Sequence, residues 1–215
     1  MTTFFIVRHG ENDWVKKNRL AGWLPGVHLN ENGVQQAHDA GARLAPQPIQ
    51  AIYSSPVTRC VETAEIIAPY FQLPVLLNEA FGETRYGDWE GKKVKKLAKK
   101  PEWQIVQFFP SRNRFPSGEA LREVQFRAVQ AMEKLSGQHK SESVVVVSHA
   151  DIIKLVLAHY LGVHIDLFQR ITVSPASVSV LHLSEKGYVR VLRVNDDGPM
   201  KPAASESEHK KSSKE

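Results

Sequence analysis

The chain has 215 residues, 42% of them hydrophobic, a net charge of +5 and one cysteine. That length suits one domain with a substantial core. Cys60 alone excludes an internal disulfide or a cysteine-based zinc cluster and points to a reducing, cytoplasmic setting. The first apolar run, Phe4 to Val7, is too short for a signal peptide or a membrane span, and the positive charge suits anionic small molecules as well as nucleic acid.

Thr3 to Val7 is β-branched and aromatic without polar alternation, the pattern of a buried central strand, and it ends at Arg8, His9, Gly10 and Glu11. Asn30 caps a helix whose apolar positions Val34, Ala37, Gly41 and Leu44 recur at helical spacing until Pro46 and Pro48. Ala51 to Ser55 forms a second strand, and Ser55 with Pro56 opens a helix carrying Val57, Val61, Ala64 and Ala68 on one face. A third run, Val75 to Leu77, leads into a polar loop and then the lysine-rich stretch Gly91 to Lys100. Ser117 and Gly118 open a long helix with Leu121, Val124, Ala128, Ala131 and Leu135 buried.

Ser143 to Ser148 holds four consecutive valines and leads straight into His149 and a helix that stops near Gly162. Ser177 to Leu183 and Tyr188 to Val194 flank Glu185, Lys186 and Gly187, a hairpin pattern. Alternating strands and helices predict a three-layer α/β/α sandwich with a mostly parallel central sheet. Residues 1–198 are expected to form this domain and residues 199–215, rich in Pro, Ala, Ser, Lys and Glu, a disordered tail.

In an open α/β sheet, ligands bind beyond the carboxyl ends of the strands. There the topology gathers Arg8, His9 and Glu11 after the first strand, Arg59 after the second and His149 after the valine strand. Guanidinium forks and helix N-termini bind phosphate oxygens, and an imidazole in such a pocket can act as a covalent nucleophile. A proton donor for the leaving oxygen is available in the loop after the third strand, among Glu79, Glu83, Asp88 and Glu90.

Arg8-His9-Gly10-Glu11 resembles the signature of the histidine phosphatase superfamily. Ser54 to Ala64 is similar to the Ser-Ser-Pro-x-x-Arg-Cys-x-x-Thr-Ala of its phosphoglycerate mutase-like branch, Glu83 to Gly91 to the Glu-x-x-x-Gly-x-Trp-Glu-Gly element, and Ser148-His149-Ala150 to the second histidine motif. The order of the four blocks also agrees. The resemblance implies a phosphoglycerate mutase-like fold and a metal-independent phosphatase without cofactor. His9 is then the nucleophile, Arg8, Arg59 and His149 hold the phosphoryl oxygens, and Glu83 is the general acid. Asn12, Gly22, Trp23 and Ala150 join the expected substrate contacts. The expected partner is a small phosphorylated metabolite rather than nucleic acid or a membrane, with a homodimer left open.

Single features have plainer readings. Lys92, Lys93, Lys95, Lys96, Lys99 and Lys100 read as a solvated helix face, Cys60 as an inert packed thiol, and Trp14, Trp89 and Trp103 as packing residues. Two positions depart from the family pattern. Val15 follows Trp14 where many relatives have a phosphoryl-contacting asparagine, a contact that Asn12 or Asn18 can supply, and Ala120 follows Glu119 in place of a serine.

Three other functions share parts of this reading. A phosphoglycerate mutase-type phosphomutase uses the same residues, but such enzymes carry Tyr-Gly-x-Leu-x-Gly-Leu-Asn-Lys where this chain has Tyr86 to Lys92. A non-catalytic phospholigand-binding module conflicts with the intact residue set. A metallohydrolase would use His9, Asp13, His149 and Asp151.

Overall fold

The computed structural model describes residues 1–198, so the expected tail lies outside the described residues. The buried run β1 (Thr2–Arg8) sits inside a six-stranded sheet ordered β3-β2-β4-β1-β5-β6. β2 spans Ile49–Ser54, β3 Val75–Leu77, β4 Ser143–Ser148, β5 Val178–Leu183 and β6 Val189–Asp196. The first four neighbours run parallel, and β5 and β6 form the expected hairpin at the other edge, with β5 antiparallel to β1.

Period-two alternation divides β1 between two cores. Phe4 and Ile6 pack with Leu121, Val124, Leu135 and Ile152, which belong to α6 (Leu121–Gln138) and α7 (Ala150–Tyr160). Phe5 and Val7 pack with Ala40, Leu44, Cys60 and Ala64, from α2 (Glu31–Leu44) and α3 (Thr58–Ile67). One-turn α1 (Asp13–Lys16) follows β1, and α4 (Val94–Leu97) and α5 (Pro101–Phe108) precede α6. These layers are the predicted α/β/α sandwich.

Asn30 caps α2 as expected, its Oδ1 accepting from Gly33 N at 2.8 Å. Val34 is 38% exposed, however, and Gly33 and Ala40 take the buried face instead. On the α3 side Val57, Ala64 and Ala68 are buried as expected, but Val61 is half-buried, and Arg59, Cys60 and Thr63 also face inward. Ser55 does not cap α3, which begins at Thr58 after Val57. Ser117 and Gly118 form a turn before α6, where Glu119 and Ala120 intervene. The lysine stretch holds only the single turn of α4, so its lysines line a turn-rich segment rather than one helix face.

Register positions the chemistry. Arg8 is paired with Ser148, Ser54 with Val147 and Leu77 with Ser54, so β1, β2, β3 and β4 end at one level. The chain leaves β1 toward β2 and leaves β4 toward β5, on opposite sides, which makes the β1/β4 boundary the topological switch point.

Candidate active site

His9 follows directly from β1 and is 3% exposed. Its Nδ1 lies 2.7 Å from the Gly10 carbonyl, an acceptor only, so this nitrogen carries the ring proton and Nε2 keeps a lone pair. Arg59, 2% exposed on the first turn of α3, donates its Nε–H to that lone pair at 3.2 Å. Its Nη2 reaches the Gly22 carbonyl at 3.1 Å and His149 Nδ1 at 2.9 Å. His149, the N-cap of α7, is fully buried and holds Ser55 Oγ with Nε2 at 2.8 Å. The two imidazoles stand edge to face at 5.3 Å.

Burial, with Arg59 and Arg8 beside it, holds the His9 imidazole well below the usual histidine range, and burial and Arg59 do the same to His149. Both rings are neutral at physiological pH, as a nucleophile requires. Glu83 takes the opposite shift. Burial and the Asp151 charge push its carboxyl up to about 7 against the pull of Arg59. Its Oε2 lies 3.6 Å from Arg59 Nη2 and 3.5 Å from His149 Nδ1, and its Oε1 accepts from Thr84 N at 3.0 Å. A carboxyl half-protonated near neutrality can both donate and accept a proton in one cycle.

Several donors around these groups lack protein acceptors: Arg8 Nε, Arg59 Nη1 and Asn12 Nδ2 are all buried and unpartnered. Such groups cost about 1–3 kcal/mol each when left dry, and the two arginines among them act directly on the neutral His9 ring, which marks an oxyanion pocket. The profile of the histidine phosphatase superfamily (branch 1) matches residues 4–197. The chain belongs to the histidine phosphatase superfamily. It is 31% identical over 197 residues to phosphoserine phosphatase 1 of Hydrogenobacter thermophilus, covering 91% of this chain and 92% of that protein. It is 29% identical over 198 residues to the metal-independent phosphoserine phosphatase of Arabidopsis thaliana, covering 88% and 79% respectively. Among solved structures, Bacillus stearothermophilus YhfR superposes with a TM-score of 0.85 at 29% identity, over 91% of this chain and 98% of that one. The four-motif resemblance, the phosphoglycerate mutase-like α/β fold and the assignment as a phosphatase therefore stand.

In this histidine phosphatase the open choices of the sequence resolve as follows. Glu83 faces His149 and Arg59, whereas the Glu79 side chain is 81% exposed and Asp88 lies on the surface. Asn12, 1% exposed, caps α1 with Oδ1 and leaves Nδ2 unpartnered, while Asn18 is exposed at a φ of 48°. Arg8 donates through Nη1 to the Val173 carbonyl at 2.7 Å, and Ala150, half-buried, begins α7. Gly22 contributes a carbonyl at a φ of +53°, and a Cβ there would lie 2.5 Å from the Glu90 side chain. Trp23 braces Glu83: its Nε1 donates to the Glu83 carbonyl at 2.6 Å and its ring covers Gly82. Cys60 is buried and its thiol is pushed up to about 12, consistent with an inert role. Asp13 pairs with Lys17 and Asp151 accepts from Tyr86 Oη at 2.9 Å, so the metallohydrolase ligand set is not assembled.

The sequence reading missed the residues that hold these groups. Thr63 Oγ1 accepts from Gly10 N at 3.1 Å and donates to the Arg59 carbonyl at 2.7 Å. Arg127 reaches the carbonyls of Ala80, Gly82 and Glu83 while paired with Glu119 at 2.9 Å. The Glu119 motif match was the only sequence signal for that clamp.

Proposed function

We propose that this chain hydrolyses small phosphomonoesters by two in-line transfers, with His9 carrying the phosphoryl group between them. The observation that carries the reading is the neutral His9 Nε2 lone pair among buried, unpartnered donors, beside a carboxyl poised near 7. In the first step the bond from Nε2 to phosphorus forms as the ester P–O bond breaks, and protonated Glu83 gives its proton to the departing oxygen. Substrate takes over the Arg59 donors that the free enzyme spends on His9 and His149. Arg8, Arg59 and Asn12 then meet charge on the phosphoryl oxygens. Ser55 can donate to His149 Nε2, which frees Nδ1 to carry a proton toward them.

In the second step Glu83, now ionised, draws a proton from water as that water attacks phosphorus and the P–N bond breaks. Preorganised donors supply the charge stabilisation, so the scheme needs no cofactor. A cytoplasmic setting and a small metabolite as partner belong to the same proposal. Phosphoserine is the first substrate to try, because two relatives bear that name, followed by sugar phosphates, phosphoglycerates and α-ribazole phosphate.

The test is hydrolysis of an aryl phosphate by wild type and His9→Ala with chelator present, with a search for acid-labile phosphoprotein in the wild type. Inorganic phosphate release and loss of both signals in the variant are expected. Wild-type turnover by His9→Ala would overturn the reading. Conversion of 3-phosphoglycerate to its 2-isomer, without phosphate release, would favour the phosphomutase.

A further inference from the structure

We infer that Gln36 is a positioning residue for the nucleophile, setting the His9 tautomer through the Gly10–Glu11 peptide group; this rests on the reading of His9 as the phosphoryl carrier. One peptide group takes part in two hydrogen bonds. Its carbonyl, on Gly10, accepts the His9 Nδ1 proton at 2.7 Å, and its N–H, on Glu11, donates to Gln36 Oε1 at 2.8 Å. The result is a line from the amide of a helix side chain, through one peptide bond, to the far side of the reacting ring.

The backbone on both sides of this peptide is also held, by α2 and its cap and by α3. Asn30 N donates to the Glu11 carbonyl at 3.1 Å and Asn30 Nδ2 to Glu11 Oε1 at 2.9 Å. Gly33, one turn before Gln36 on the same face, lets the helix backbone touch the loop; a Cβ on Gly33 would lie 2.0 Å from the Glu11 carbonyl oxygen. On the preceding peptide, Thr63 of α3 accepts from Gly10 N. The peptide plane cannot rotate without breaking the Gln36 bond.

The chemical consequence follows from which ring nitrogen carries the proton. A neutral imidazole has two tautomers, and only the Nδ1–H form leaves its lone pair on Nε2, where Arg59 Nε stands at 3.2 Å. Hydrogen bonds in a chain polarise one another, so an acceptor at Glu11 N–H makes the Gly10 carbonyl a better acceptor for His9. Positive charge grows on the ring as the N–P bond forms, which strengthens the Nδ1–H donor at that moment. The Nδ1 proton stays in place throughout, and the only proton that moves is the one from Glu83 to the leaving oxygen. An interaction that tightens in the transition state acts on kcat rather than on KM.

The experiment compares wild type, Gln36→Met, which keeps length without an acceptor, and Gln36→Glu, which keeps an oxygen. Single-turnover phosphorylation by an aryl phosphate is followed together with the ¹⁵N spectrum of histidine-labelled protein, with His9 assigned by its absence from His9→Gln. Gln36→Met is expected to slow phosphorylation by about 10- to 100-fold at unchanged KM, the usual effect of losing a supporting partner, and to populate the Nε2–H tautomer. Gln36→Glu should stay within about threefold of wild type with the Nδ1–H tautomer retained. A folded Gln36→Met with wild-type rate and tautomer would overturn the inference, as would Gln36→Glu behaving like Gln36→Met. The spectrum needs no turnover, so an inactive wild type would sink the reading of His9 as phosphoryl carrier, and with it the positioning role, while the spectrum still decides whether Gln36 sets the His9 tautomer. If Gln36→Met does not fold, the wild-type spectrum decides: a protonated Nε2 and a bare Nδ1 on His9 overturn the inference.

Discussion

The proposed nucleophile and the proposed acid of this site are held in different ways. His9 sits on backbone: the end of β1, two peptide groups and a helix that approaches closely enough to require Gly33. Glu83 hangs in a loop from side chains: its carbonyl accepts from both the Trp23 indole and the Arg127 guanidinium, itself anchored by Glu119. The nucleophile needs a fixed line of attack, and backbone contacts tolerate little displacement. The acid must exchange a proton twice per cycle, and a loop held by long side chains allows adjustment. The two sides should therefore fail differently when cut.

The largest effect falls on the nucleophile itself. His9→Gln should lower turnover by at least about ten-thousandfold for every substrate, because it removes the proposed phosphoryl carrier, and rapid-quench detection of phosphoenzyme should fall to background. Comparable phosphoenzyme in the variant would move the nucleophile elsewhere.

Glu83→Gln comes next and should split by leaving group. Alkyl phosphates, whose oxygen needs a proton, should lose about a thousandfold in phosphorylation, and aryl phosphates much less. Equal losses would remove Glu83 from the acid role. The same variant carries a stability signature. Glu83 binds its proton more tightly folded than unfolded, so its favourable contribution is full below the ordinary carboxylate value of 4.5 and is lost as pH rises through about 7. Glutamine avoids that loss, so the Tm of Glu83→Gln relative to wild type should rise between pH 5 and pH 8. A flat difference across that range would show that burial does not hold the proton on Glu83.

Gly33→Ala tests the backbone side away from any reacting atom. Its Cβ would lie 2.0 Å from the Glu11 carbonyl oxygen, so helix or loop must shift. A displacement near 1 Å at His9 costs about a hundredfold in rate, and overpacking costs about 1–3 kcal/mol of stability. Alkyl and aryl phosphates should suffer alike, unlike with Glu83→Gln. A leaving-group split in Gly33→Ala would break the proposed division between the two sides.

The contrast also explains what could be read from the chain. β1 and β4 were plain in the sequence because buried parallel strands leave unbroken apolar runs, and His9, Arg59 and His149 followed because strand ends carry sites. The α3 face is legible only in part, at Val57, Ala64 and Ala68, because the rest of it is polar: Arg59, Cys60 and Thr63 point inward for the site, while the more apolar Val61 is only half-buried. Gln36 and Arg127 stayed hidden, and Trp23 was legible only as a substrate contact, for another reason. Each acts through a hydrogen bond to a backbone atom far along the chain, such as Arg127 to Ala80, 47 residues away, and a carbonyl partner leaves no residue-type signature. Glu83 was chosen over Glu79 by motif spacing, and the fold supplies the physical ground for that choice in the burial that raises its proton affinity.

The smallest effect falls on the acid loop. Trp23→Phe keeps a ring over Gly82 but removes the donor to the Glu83 carbonyl. One hydrogen bond is worth about 1 kcal/mol net, so phosphorylation by alkyl phosphates should slow by about fivefold with aryl phosphates nearly unchanged. The pH profile carries the sharper signal. Phosphorylation requires protonated Glu83, so kcat/KM for alkyl phosphates should fall as pH rises through about 7 in the wild type. A loosened loop admits water to the carboxyl and relieves the burial that holds its proton, so the alkaline limb of Trp23→Phe should move to lower pH. The acid limb, set by His9 on the rigid side, should stay where it is. Movement of both limbs together would mean that the loop and the β1 end shift as one body, and the two modes of support would not be separate.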